Sequence, residues 1–169
     1  MKKVTAGFLT IFLIIGFSVV GTSQEDIPRP EHPRPQFKRK SWMNLNGQWN
    51  FAFDPGKSGI EKGWPKDPSA LDKKITVPFC PESKLSGLEH TDFMPAVWYH
   101  RTVDLPEGWQ GKRIFLRFGA VDYECRAWVN GSKVGHHYGG GASFSFEITQ
   151  ALNEGKNDMN KVITQALTF

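Results

Sequence analysis

The chain has 169 residues, 39% of them hydrophobic and 13% aromatic, which suits one ordinary globular domain and leaves no room for two large ones. Its formal net charge of +4 does not describe a nucleic-acid binder. Lys2 and Lys3 stand at the N-terminus and Arg29, Arg34, Lys38, Arg39 and Lys40 crowd one Pro-rich stretch, whereas a nucleic-acid surface interleaves cations with stacking aromatics on a folded face.

Residues 1–23 read as a secretory signal peptide. Lys2 and Lys3 form the positive start, Phe8 to Phe17 is almost wholly apolar, and Gly21-Thr22-Ser23 offers small residues for cleavage. The apolar run is shorter than the roughly 20 residues a membrane span needs, so no stable span is expected after cleavage, and the product is periplasmic or extracellular. Residues 24–40 form a Pro-rich basic linker with prolines at 28, 30, 33 and 35, since proline fixes φ and removes backbone donors. Folded structure is expected from near Trp42, in one domain over 41–169.

From there the apolar period is two. Leu45, Trp49, Phe51 and Phe53 share one side of a strand. The pattern recurs in Ile75, Val77 and Phe79, in Val97, Tyr99, Val103 and Leu105, in Ile114, Leu116 and Phe118, and in Phe144, Phe146 and Ile148. Repeated short strands, with 17 Gly and 11 Pro in the chain, argue for an all-β antiparallel sandwich of jelly-roll type. Asn130-Gly131 is a type I′ hairpin signal. A two-residue loop there sets Val129 opposite Ser132, Ala127 opposite Val134, Cys125 opposite His136, and Glu124 opposite His137 as a cross-strand ion pair. His136 and His137, as strand neighbours, point to opposite faces and cannot chelate one metal together. Cys80 and Cys125 fall in apolar runs and read as two buried thiols rather than a bridge. They supply no zinc site, and neither a metal nor another cofactor is expected.

The loop from His136 to Ala142 is the most site-like stretch. Gly139, Gly140 and Gly141 let the backbone approach a ligand closely, while His137 and Tyr138 offer a hydrogen bond and an aromatic face to a sugar. The alternative is a plain flexible turn. Trp98 and Trp128 are sugar platforms in principle, but strand aromatics in a sandwich more often pack. Asn153-Glu154 lies in a polar, Gly-containing turn where a solvated charge, not a catalytic acid, is expected.

The order of motifs is similar to a known family. Leu45-Asn46-Gly47-Gln48-Trp49 is followed by Val77-Pro78-Phe79, Trp98-Tyr99 with Arg101, Leu105-Pro106, Phe118-Gly119-Ala120-Val121-Asp122, Trp128-Val129-Asn130-Gly131, Val134-Gly135 and Phe146-Glu147-Ile148-Thr149. The series, over roughly Ser41 to Asn157, resembles the N-terminal domain of family 2 glycoside hydrolases, which include β-galactosidases, β-glucuronidases and β-mannosidases. The resemblance implies a jelly-roll sandwich like galactose-binding domains, ahead of an immunoglobulin-like domain and a (β/α)8 barrel that carries both catalytic glutamates. Neither further domain fits in this chain, so a non-catalytic, inactive fragment is expected. In some β-galactosidases the loop equivalent to 136–142 sends an acidic residue to the active site. Gly139 stands there in this chain, which places it closer to the glucuronidase-like members. After Asn157 the family runs into a final apolar strand, whereas here Asp158-Met159-Asn160-Lys161 intervenes and Ile148 to Leu152 recurs as Ile163 to Leu167. Val162 to Ala166 is the candidate for that strand in a domain cut short by truncation or frameshift. Three functions follow: an accessory domain of a β-glycosidase whose partners are a β-linked glycan or the missing domains, a stand-alone carbohydrate-binding module, or a sandwich with no ligand.

Overall fold

The structure is a computed structural model describing residues 27–31 and 41–164. The signal segment 1–23 and most of the linker 24–40 lie outside the described residues, as do the last residues of the second pentapeptide copy. Among the described residues eight strands run in chain order as β1 (Gly47–Phe53), β2 (Lys73–Val77), β3 (Ala96–Asp104), β4 (Phe115–Phe118), β5 (Glu124–Val129), β6 (Ser132–Tyr138), β7 (Phe144–Glu147) and β8 (Lys156–Thr164). They make a six-stranded sheet in the order β2-β1-β3-β8-β5-β6 and a two-stranded sheet β4-β7. Every pairing is antiparallel, and the fold is an all-β sandwich.

Period-two alternation explains the inner face. Trp49, Phe51, Ile75, Val97, Tyr99, Val103, Val129 and Met159 are buried there, with Leu116, Phe118 and Phe146 of the small sheet packed on the same cluster. Phe79, Leu105 and Ile148, expected inside strands, fall just beyond the ends of β2, β3 and β7.

The outer face of the large sheet is covered as well, which simple alternation does not anticipate. Ala52, Ala96, Trp98, Trp128 and Val162 form a second cluster with Leu71 and Trp64 from the 54–72 connection. Trp98 is 0% exposed and stacks on Trp128 at 5.3 Å, while Trp64 meets it edge-on at 5.7 Å. Both strand tryptophans are therefore packing residues. Asp54 anchors the connection, since its carboxylate accepts from Ser58 N at 2.9 Å, Gly59 N at 2.8 Å and Trp98 Nε1 at 3.0 Å. A Cβ on Gly59 would run into the Trp98 and Trp64 rings, so the loop reaches the indoles only through glycine.

Three expectations are corrected. The turn forms as expected, with φ of 49° at Asn130 and 76° at Gly131, and Val129 pairs with Ser132. A bulge between Ala127 and Trp128 then shifts the register. Ala127 lies opposite Gly135, Cys125 opposite His137, and Glu124 opposite Tyr138. The physical reason is Phe146, whose ring packs where a Cβ of residue 135 would be, so β6 bends there and takes in one extra residue. Second, Cys125 is buried but Cys80 is exposed in the loop after β2, and both are free. Third, Asp158 to Lys161 does not interrupt the last strand. It is the body of β8, which lies in the middle of the large sheet between β3 and β5.

Part of the linker is held against the sandwich. Asn44 Nδ2 donates to Arg29 O at 3.1 Å and Asn46 Nδ2 to Pro28 O at 3.0 Å. The side-chain amides of Asn44 and Asn46 thus hold residues 28 and 29.

Candidate functional site

The shifted register builds the most polar corner of the outer face. Glu124 and Arg126 on β5, and His136 and Tyr138 on β6, now share that face. Glu124 is only 9% exposed. Its Oε1 accepts from Arg126 Nε at 2.6 Å and from His136 Nε2 at 2.9 Å. Burial pushes the Glu124 carboxyl upward in pKa, yet the hydrogen bonds from His136 and Arg126, with the charge of Arg126, outweigh burial and hold it below the usual glutamate value. The cross-strand contact expected with His137 is therefore made by His136, as a hydrogen bond to Glu124.

Of the side chains among the sugar-contact candidates, that of Tyr138 is presented to solvent, the residue being 57% exposed. Its ring lies 4.4 Å from that of His136 and 6.1 Å from that of Tyr123, itself 44% exposed, so the two tyrosines form an open aromatic ledge. His137 turns inward and stacks on Phe144 at 3.9 Å, with a buried Nε2 that finds no partner among the described residues. Gly139 N donates to Tyr123 O at 2.8 Å, with φ of 112°. Gly140 packs so closely on the Asp122 carboxylate that a Cβ there would collide with it, while Gly141 faces open space. The three glycines thus fold a turn around Asp122 and Tyr123.

Beside this ledge lies a pocket of about 270 Å³ on the outer face. Ala96, Trp98 and Val162 form its apolar floor, and Lys57, Glu124 and Arg126 line it, with Asp54 at the base of the loop. Glu124 thus belongs to both the pocket and the ledge. Lys57 has φ of 53°, a left-handed backbone that costs a side-chain-bearing residue on the order of 1 kcal/mol. Sequence reasoning singled out neither Lys57 nor Arg126. A signal existed for Arg126, because Glu124 and Arg126 alternate with the apolar Cys125 and Ala127 and so mark a polar outer face. Lys57 carried none, since its place depends on the fold of the loop. Among the described residues no group of three or more His, Cys, Asp and Glu is placed to hold a metal.

The family described as "Glycosyl hydrolases family 2, sugar binding domain" matches residues 42–167. The chain belongs to this family. Among curated relatives, β-glucuronidase of Rattus norvegicus is 32% identical over 120 residues, covering 66% of this chain and 18% of that protein. β-Glucuronidase of Homo sapiens is 31% identical over 134 residues, covering 73% and 20%. Among solved structures, a β-glucuronidase from Ruminococcus gnavus in complex with a C6-substituted uronic isofagomine superposes with a TM-score of 0.68 at 28% identity, over 75% of this chain and 22% of that one. The family 2 domain seen here thus spans about a fifth of the length of such relatives. Among its described residues no helix is long and apolar enough to cross a membrane.

Proposed function

We propose that the chain is the non-catalytic, sugar-binding-type N-terminal module of an exported, retaining β-glycosidase of the β-glucuronidase type, with hydrolysis carried by carboxylates outside residues 41–164. The observation that carries this reading is how the acidic side chains are used. Retaining hydrolysis needs two carboxyl groups about 5–5.5 Å apart and free to face a sugar. Here Asp54 is engaged by two backbone amides and an indole, Glu124 by Arg126 and His136, Glu147 by Arg113 at 2.7 Å, and Asp158 by Thr102 at 2.9 Å. Each serves the fold. The likeness to proteins named β-glucuronidase supports that type over the others in the family.

The test is turnover of a chromogenic aryl β-D-glucuronide by the full chain. No release above the buffer blank is expected, and release abolished by Glu124→Gln would overturn the reading. Export, supported by Lys2, Lys3 and the apolar run Phe8 to Phe17, predicts a mature N-terminus at Gln24 outside the cytoplasm. Recovery of an intact Met1 form in the cytoplasm alone would contradict it.

A second reading, a stand-alone carbohydrate-binding module, is favoured by the exposed Tyr123 and Tyr138 ledge, because an amphipathic ring gives a sugar its apolar face and a hydrogen bond. It predicts saturable heat in calorimetry against a glycan panel, and a flat titration across the panel would sink it.

A further inference from the structure

We infer that the outer-face pocket beside β5, rather than the glycine turn, is a binding site for one sugar acid, a hexuronate ring held by its carboxylate at Lys57 and Arg126. The inference rests on the β-glucuronidase-type reading above and goes beyond it by giving the ligand a place and a charge.

The size of the pocket comes first. About 270 Å³ is just below the usual range for small-molecule sites, which fits one monosaccharide ring and not an oligosaccharide or a peptide segment. The floor at Ala96 and Val162 is apolar, as a pyranose ring face requires.

The second argument is which polar groups remain unspent. Both carboxylates of the pocket are committed: Asp54 accepts from Ser58, Gly59 and Trp98, and Glu124 from Arg126 and His136. Arg126 uses Nε and Nη2 on Glu124, with Nη2 at 2.6 Å from Oε1. Among the described residues its Nη1 and the Lys57 ammonium have no partner. What is left for a ligand among the described residues is therefore two cationic donors, one of them on a planar guanidinium suited to carboxylate recognition, and Glu124 Oε2 as an acceptor for a ring hydroxyl, since both donors to Glu124 meet on Oε1. Glu124 holds that guanidinium at the wall, so little side-chain freedom is lost on binding.

Lys57 is the third argument. A glycine or asparagine would occupy its left-handed backbone with less strain, yet an ammonium is placed there at the pocket's edge.

The experiment is a residue-resolved NMR titration of the full chain with D-glucuronate, D-glucose and acetate. The Trp98 indole N–H, which bonds Asp54 in the floor, is the reporter. D-Glucuronate is expected to move the Trp98 indole and the Lys57 and Ile60 amides in a saturable way. D-Glucose is expected to bind about tenfold more weakly, for want of the charged contact. Lys57→Gly, which suits the local backbone and preserves folding, is expected to weaken D-glucuronate about threefold to fivefold, the worth of one exposed charge contact. Equal binding of D-glucose, equal shifts with acetate, or no effect of Lys57→Gly would each overturn the site. Shifts confined to Tyr123 and Tyr138 would overturn the pocket while leaving the sugar-binding reading intact. No shift with either sugar anywhere on the chain would sink both.

Discussion

Burial and pairing pull Glu124 in opposite directions, and pairing wins because two donors from two different strands meet on one oxygen. The sign of the pH dependence follows. A carboxyl whose folded pKa lies below its ordinary 4.5 stabilises the fold fully above that value, and the contribution is lost as pH falls through the lowered one. Glu124→Gln should therefore cost about 1–3 kcal/mol at pH 7, less than a wholly buried pair because the Arg126 side chain is 36% exposed. Urea melts of both proteins at pH 7 and below pH 4 measure it, and the gap should close at the acid end. Lys161 is the opposite case. Its ammonium lies 4.3 Å from the Tyr99 ring centre, 5.4 Å from Trp49 and 5.6 Å from Phe118, on the inner face between the sheets. Burial pushes its pKa down to about 8, and no carboxylate pairs with it among the described residues. The three rings recover part of that cost, at about 0.5–1 kcal/mol each. For a base with a lowered folded pKa the penalty is full below pH 8 and disappears as pH rises toward its ordinary 10.5. Lys161→Met should thus raise stability at pH 7 by about 1–2 kcal/mol, with the advantage shrinking by pH 10. An advantage that is constant with pH would show that packing, not charge, is responsible.

The hairpin of β5 and β6 shows what a single strand pattern carries and where it stops. Asn130-Gly131 located the turn because both positions take positive φ, a local requirement that few residue pairs meet. The bulge was not legible, since it depends on Phe146, a residue of β7 that reaches over Gly135 from the other sheet. That one shift moves His136 to Glu124 and turns His137 onto Phe144, so the candidate site changed its histidine while Tyr138 stayed at the surface. The same holds for Trp98 and Trp128. Their even-numbered face reads as solvent by alternation, and only the 54–72 connection, with Trp64, makes it a second core. Gly135→Ala tests the account of the bulge. The added Cβ falls within the Phe146 ring, so a loss of about 1–3 kcal/mol is expected in chemical denaturation. Combining it with Phe146→Ala should cost less than the sum of the two single changes, because the clash is then gone. Strict additivity would place the cause of the bulge elsewhere.

At the scale of the molecule, connectivity puts β8, the last strand among the described residues, at the centre of the large sheet. β8 pairs with β3 along its whole nine-residue length and with all of β5 on its other side. The strand was hard to read because its inner face carries Lys161 and its outer face Asn160, which is buried and donates to Pro65 O at 3.2 Å. Asn157, also buried, accepts from Asn130 Nδ2 and from Asn153 N, and so ties the start of β8 to the hairpin turn. Polar residues at these places break the apolar alternation by which strands are recognised, yet each asparagine is hydrogen-bonded to a loop that the strand must pass. It follows that β1, β2 and β3 join β5 and β6 in one sheet only through β8, a pairing of high sequence separation that slows closure of the sandwich. Removing residues 156–169 should leave a three-stranded piece β2-β1-β3 and a hairpin β5-β6 with unpaired edges at β3 and β5, and hence an aggregating chain with no cooperative thermal transition. Adding a peptide of residues 155–169 in trans should restore a sigmoidal melt, because the gap it fills is bounded on both sides by strands of fixed register. A shortened chain that melts cooperatively by itself would mean that β3 and β5 pair directly, and that the central place of β8 is not what holds the two halves of the sheet together.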